Sequence, residues 1–216
     1  VYHTEVENVS DEQIFSQIQV LNDDFRRVND DALPESNYFW FDHADTEIEF
    51  CLAQQDPDGA PTNGITRTET DVTSFPEDTD VIDVKFSDEG GKDNWDPTKY
   101  LNMWVCNLSG NTLGYAAFPS DLSEYSNDDG VVIRYEAFGT TGTAGSGAYG
   151  ANVLGRTGTH EVGHWLNLRH IWGDEECGDD FCGDTPPQEG ENYNCPTQPH
   201  RPNNSCSPST DVNGEM

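Results

Sequence analysis

The stretch His160-Glu161-Val162-Gly163-His164-Trp165-Leu166-Asn167-Leu168-Arg169-His170 decides how this chain is read. Written as a helix, it sets His160 and His164 one turn apart on a single face, because side chains four residues apart lie above one another. Two imidazoles so placed are a pair of metal ligands. Glu161 follows the first of them, where a carboxylate reaches a water on the metal without itself binding the ion. A helix continued to His170 would carry that ring roughly 9 Å further along the axis and round to another face. The helix must therefore stop if all three histidines are to serve one ion. Asn167 stands where the stop is needed, and asparagine tolerates the left-handed backbone that ends helices. The spacing predicts a zinc site with three histidine ligands and a glutamate base. Half of the chain's six histidines fall in this run, more than packing alone calls for.

Working outward, residues 139–150 are rich in glycine and read as a surface loop leading into the helix. No Gly-Lys-Ser or Gly-Lys-Thr ending follows them, so they do not make a phosphate-binding loop. Short strands are expected at residues 130–135 and 113–118, around Leu101, Met103 and Val105, and at residues 47–52, where apolar and polar side chains alternate. Residues 56–80 carry Pro, Gly, Thr and Asp and read as loops. Near the start, Ser10 with Gln13 forms a capping box, and Ile14, Ile18, Leu21, Phe25 and Val28 recur at helical spacing, which predicts an amphipathic helix over about residues 11–28. This order predicts an α/β (α+β) fold: a twisted mixed sheet, a long packing helix, an active-site helix, then an irregular disulfide-rich C-terminal lobe. Residues 1–216 are read as a single catalytic domain, with 1–170 an upper lobe that includes the active-site helix and 171–216 part of an irregular lower lobe.

The 10 basic and 41 acidic residues give a formal charge of -31. Such a surface opposes nucleic acid and anionic membranes and favours cations or basic substrates, although solubility in a salty or extracellular medium explains it equally well. No run of about 18 apolar residues is present, so membrane insertion is not expected. The cysteines at 51, 106, 177, 182, 195 and 206 are even in number, which predicts disulfides and an oxidising compartment over cysteine ligation of zinc. Cys51 and Cys106 both fall in expected strands and are one conceivable pair. Asp180, Asp184 and the Thr185 carbonyl lie in an acidic loop that reads either as a calcium site or as a solvated turn.

Beyond the zinc run, the chain resembles the pappalysin family of metzincins in its bacterial cytophagalysin-like branch. The matching strings are Thr46-Glu47-Ile48-Glu49-Phe50-Cys51-Leu52-Ala53, Asn63-Gly64-Ile65-Thr66-Arg67, Tyr100-Leu101-Asn102-Met103-Trp104-Val105-Cys106-Asn107-Leu108, Leu113-Gly114-Tyr115, Gly155-Arg156-Thr157, His170-Ile171-Trp172-Gly173-Asp174 and Asp184-Thr185-Pro186. Asn167 takes the place of the glycine in the metzincin pattern HExxHxxGxxH. The resemblance implies a secreted zinc endopeptidase that acts on protein or peptide substrates. His160, His164 and His170 would be its zinc ligands and Glu161 its general base, with structural calcium around Asp180, Asp184 and Thr185. It also implies that Leu113, Gly114, Tyr115, Ala116 and Ala117 form an edge strand along which an extended substrate lies, and that Arg or Lys is preferred after the scissile bond.

Metzincins also carry a methionine in a tight turn beneath the zinc. Here the methionines are Met103, in an expected strand, and Met216, the last residue. The chain therefore reads as a trimmed catalytic domain, and the contrasting expectation is a catalytically impaired, calcium-stabilised zinc-binding or adhesion module.

Overall fold

A computed structural model describes residues 1–35, 44–76, 82–119, 128–183, 185, 187–191 and 206. The chain divides into two units, Val1–Asn29 with Asp45–Asn167, and Asp30–Ala44 with Leu168–Met216.

The first unit holds the regular structure. Helix α1 spans Asp11–Phe25, and the Ser10 hydroxyl caps it by accepting the Gln13 N–H at 3.2 Å. Only half of the expected capping box forms. The Gln13 side chain does not return to Ser10; it donates to the carbonyls of Phe138 at 2.8 Å and Tyr135 at 3.1 Å. At the other end Arg27 adopts φ 56°, and the Val28 N–H reaches the Asp23 carbonyl, closing the helix before Val28. Val28 is accordingly exposed. The buried stripe is Gln13, Gln17, Leu21 and Phe25, with Ile14 and Ile18 half-buried beside it. Two glutamines thus occupy positions where the apolar spacing points to isoleucines.

Strands β1 (Met103–Cys106), β2 (Gly114–Ala116) and β3 (Val131–Arg134) form a three-stranded sheet in the order β1-β3-β2. β1 runs parallel to β3 with Met103 opposite Val131, and β2 runs antiparallel with Gly114 opposite Ile133. All four residues of β3 are buried, as suits a central strand covered on both faces. Alternation then divides the core. Val131 and Ile133 join Leu21, Phe25, Phe138 and Val162 on one face, while Val132 joins Phe75, Trp104, Cys106, Leu108 and Tyr115 on the other.

Residues 47–52 do not form the expected strand. The Asn22 amide takes both main-chain groups of Phe50, accepting its N–H at 2.7 Å and donating to its carbonyl at 2.9 Å. A side chain of α1 therefore supplies what a neighbouring strand would. Cys51 is exposed and Cys106 buried on β1, neither bonded to the other, so that conceivable pair is not made. Burial pushes the Cys106 thiol up to about 12. Met103 opens β1, as its alternation predicts.

Helix α2 (Arg156–Trp165) packs on β2, β3 and α1. Gln17 sets its approach. The Gln17 amide donates to the Gly155 carbonyl at 2.9 Å and accepts the Gly139 N–H at 2.8 Å. A Cβ at Gly158 would lie 2.4 Å from Gln17 Nε2, so α2 comes this close only because residue 158 has no side chain. The second unit has neither helix nor strand among its described residues, and a disulfide joins Cys177 to Cys206. This bears out the expected disulfide-rich end at one bridge; Cys195 lies outside the described residues.

Replacing Gln17 with Leu strands the Gly139 N–H in the core and leaves the Gly155 carbonyl to the Gly158 N–H at 3.1 Å. The expected cost is about 1–3 kcal/mol for the orphaned N–H, read as a lower midpoint in urea unfolding. An unchanged midpoint would mean that this amide does not hold the helices together.

Candidate metal centre

On α2, His160 and His164 fall one turn apart, their Nε2 atoms 2.9 Å from each other and their rings 4.4 Å apart in an edge-on arrangement. The Phe118 ring lies 4.9 Å from His164, which is buried. Two neutral imidazole nitrogens this close suit one borderline-soft cation of the zinc type, for which imidazole is a preferred ligand. The helix ends where Asn167 predicts: Asn167 has φ 73°, and its N–H bonds the His164 carbonyl at 2.8 Å. One residue after His164, Trp165 donates its indole N–H to Asp129 at 2.8 Å and so fixes this end of the helix to the segment that leads into β3.

Glu161 is 6% exposed. Burial raises its pKa to about 8, since removing water disfavours the charged carboxylate. A cation nearby acts in the opposite sense. The main chain of β2 lies against it: a Cβ at Gly114 would stand 2.9 Å from Glu161 Cγ and 3.0 Å from Oε1. Of the expected substrate residues, Gly114, Tyr115 and Ala116 form β2 at the end of the sheet. Leu113 and Ala117 extend its pairing through the Leu113 carbonyl to the Arg134 N–H and the Ala117 N–H to the Gly130 carbonyl.

In the second unit, Asp174 bonds His170 through Nδ1, and the Trp172 ring stacks on the imidazole, centroids 4.4 Å apart and planes 4° from parallel. A carboxylate on Nδ1 orients the ring and leaves Nε2 to act as a ligand. In the sequence, Asp174 and Trp172 stand out only as part of the string His170-Ile171-Trp172-Gly173-Asp174; the i, i+4 spacing of His170 and Asp174 is the signal that pairs them. Asp180 is buried and accepts the Cys182 N–H at 2.9 Å, the Thr185 N–H bonds the Cys182 carbonyl at 3.2 Å, and Asp184 lies outside the described residues.

A mixed α/β fold with His-Glu-x-x-His on a helix beneath an edge strand defines the class: a metallopeptidase of metzincin fold. The chain belongs to the peptidase M43 family, whose model, described as pregnancy-associated plasma protein-A, matches residues 85–210. Mature mirolysin of Tannerella forsythia, solved with a cleaved peptide, is 46% identical over 98% of this chain and 78% of that one, with a TM-score of 0.87. A promirolysin variant from the same organism is 47% identical over 97% of this chain and 67% of that one, with a TM-score of 0.88. An extracellular metalloprotease of Neurospora crassa is 37% identical over 46% of this chain, and the match spans 34% of that protein's length. Among the described residues, no helix is long and apolar enough to cross a membrane.

Gly114→Ala should force apart β2 and Glu161, because its methyl would also meet the Val132 carbonyl at 2.8 Å. Overpacking of this kind costs about 1–3 kcal/mol, measurable by thermal unfolding. Wild-type stability would show that β2 and Glu161 do not touch.

Proposed function

We propose that this chain is the catalytic part of a secreted zinc endopeptidase. The observation that carries this reading is the conjunction on α2 of two facing imidazoles with a buried glutamate pressed against an edge strand. His160, His164 and His170 each offer one ring nitrogen, a donor set that can hold a metal ion. Three neutral ligands leave zinc an open position. Zinc, when bound, supplies a Lewis acid that polarises the scissile carbonyl and acidifies water.

The chain's own residues do the rest. Glu161 takes a proton from the attacking water and passes it to the leaving amine, and its dry surroundings suit a group that must both hold and release a proton near neutral pH. β2 aligns the substrate by main-chain hydrogen bonds to an extended peptide, residue by residue. Asp174 holds His170 in the tautomer that presents Nε2. The acidic surface attracts basic segments, which supports a preference for Arg or Lys after the scissile bond. Calcium held in the loop of Asp180, Asp184 and Thr185 would brace the second unit, a role supported by the burial of Asp180. Extracellular relatives and the Cys177–Cys206 bridge support export from the cell.

Glu161→Ala should keep zinc and lose turnover of an unfolded protein substrate by roughly 10²–10⁴-fold. Equal activity in the variant would remove Glu161 from the mechanism, whereas zinc binding without turnover in the wild type would favour the impaired binding module. Asp174→Asn should weaken zinc affinity by about 10–100-fold in competition with a chromogenic chelator; unaltered affinity would separate Asp174 from metal binding.

A further inference from the structure

Arg134 closes the central strand β3 and is 4% exposed. Its guanidinium does not turn to solvent. Nε donates to the Thr112 carbonyl at 2.8 Å, and one terminal nitrogen donates to the carbonyls of Ser109 and Gly110, each at 3.0 Å. The main-chain N–H of the same residue donates to the Leu113 carbonyl at 2.8 Å. One residue thus takes up four of the five carbonyls in the run 109–113, which leads directly into β2. The Tyr149 ring covers the guanidinium at 4.8 Å, and Tyr149 also donates its hydroxyl to the Gly110 carbonyl at 3.5 Å. The other terminal nitrogen forms an ion pair with the Glu136 carboxylate at 3.9 Å.

A buried cation is a costly way to stabilise a turn, because its desolvation offsets much of what its bonds contribute. What a planar five-donor fork adds is directional control over several carbonyls at once, which a lysine with its single ammonium cannot reproduce. β2 is three residues long and, among the described residues, pairs along one edge, so its own ladder holds it weakly. Its lead-in turn must supply the rest. Gly114, the first residue past that turn, is the one whose main chain lies against Glu161.

We propose that Arg134 is a positioning residue, fixing the height and register at which β2 receives an extended substrate. This rests on the reading of β2 as the substrate strand. A shifted β2 offers its donors and acceptors out of step with a peptide, and the mismatch grows with each residue that tries to pair. Loss of Arg134 therefore penalises long substrates and spares short ones. A purely structural role would lower both alike.

The test measures binding of two uncleaved peptides to the zinc-loaded full chain in the Glu161→Ala background, one of about ten residues and one of about three, with and without Arg134→Lys. Affinity for the long peptide should fall about tenfold with Arg134→Lys, while the short peptide and zinc bind as before. Tyr149→Leu, which uncovers the guanidinium but keeps its charge, should lose about threefold on the long peptide alone. If the long peptide binds no tighter than the short one even with Arg134 intact, β2 is not the substrate strand and the reading beneath the proposal fails. If length helps and Arg134→Lys preserves the whole advantage, the role given to Arg134 is wrong. Equal losses on both peptides, in both variants, would reduce Arg134 to a structural residue; should Arg134→Lys not fold, the Tyr149→Leu result decides.

Discussion

Gln17 lies fully buried where α1 meets α2, and the distance between those helices is set by its amide. Closer approach is blocked by the amide itself, and separation would leave the Gly139 N–H without a partner in a dry core and take from the Gly155 carbonyl one of its two donors. The bond to Gly155 stands at the start of α2, a helix with no side-chain cap of its own. Everything that α2 presents, His160, Glu161 and His164 included, takes its height from this contact. Gln13 acts likewise one turn earlier on the stripe, binding the carbonyls of Tyr135 and Phe138 and the N–H of Thr143. Polar pegs of this kind specify one packing, where an apolar stripe would accept several.

β3 organises the other side. Its side chains alternate into two apolar clusters, and its two edges carry β1 and β2. Through Arg134 it also reaches round to the turn before β2, so that the outermost strand is tied to the innermost at both side-chain and main-chain level. The absence of a side chain at Gly114 then lets that strand lie on Glu161. Core packing and the placement of Glu161 are consequently one problem.

Buried charges follow different rules in different places. Lys85, with burial lowering its pKa to about 8, donates to the Asp128 carbonyl at 2.5 Å and lies over the rings of Trp104 and Tyr115. Arg134 is met by carbonyls, a ring and the Glu136 carboxylate. For Glu161, burial is what shifts the pKa. A carboxylate kept dry between a helix and a strand is an expense that structure alone does not require, and it is the arrangement that a proton carrier needs. A surface carrying a formal charge of -31 did not bear on these sites; it concerns what approaches the protein.

The facing of His160 and His164, the stop at Asn167, α1, α2 and the strands at 103–106, 114–116 and 131–134 were legible in the chain, because each rests on local spacing: a helical or two-residue period, or a side chain that tolerates positive φ. The expected strand at residues 47–52 does not form, since Asn22 captures Phe50, and the apolar stripe packs on the core with Ile14 and Ile18 half-buried because two glutamines take the most buried positions. No period announces that an amide will find its partners more than a hundred residues away. By itself the sequence determined which residues can bind a metal and move a proton, as these are properties of side chains at fixed offsets. Only the tertiary structure decided that Glu161 is buried against Gly114, that Asp174 orients His170 and that Arg134 grips the turn before β2, because burial and long-range hydrogen bonds exist only once the elements have packed.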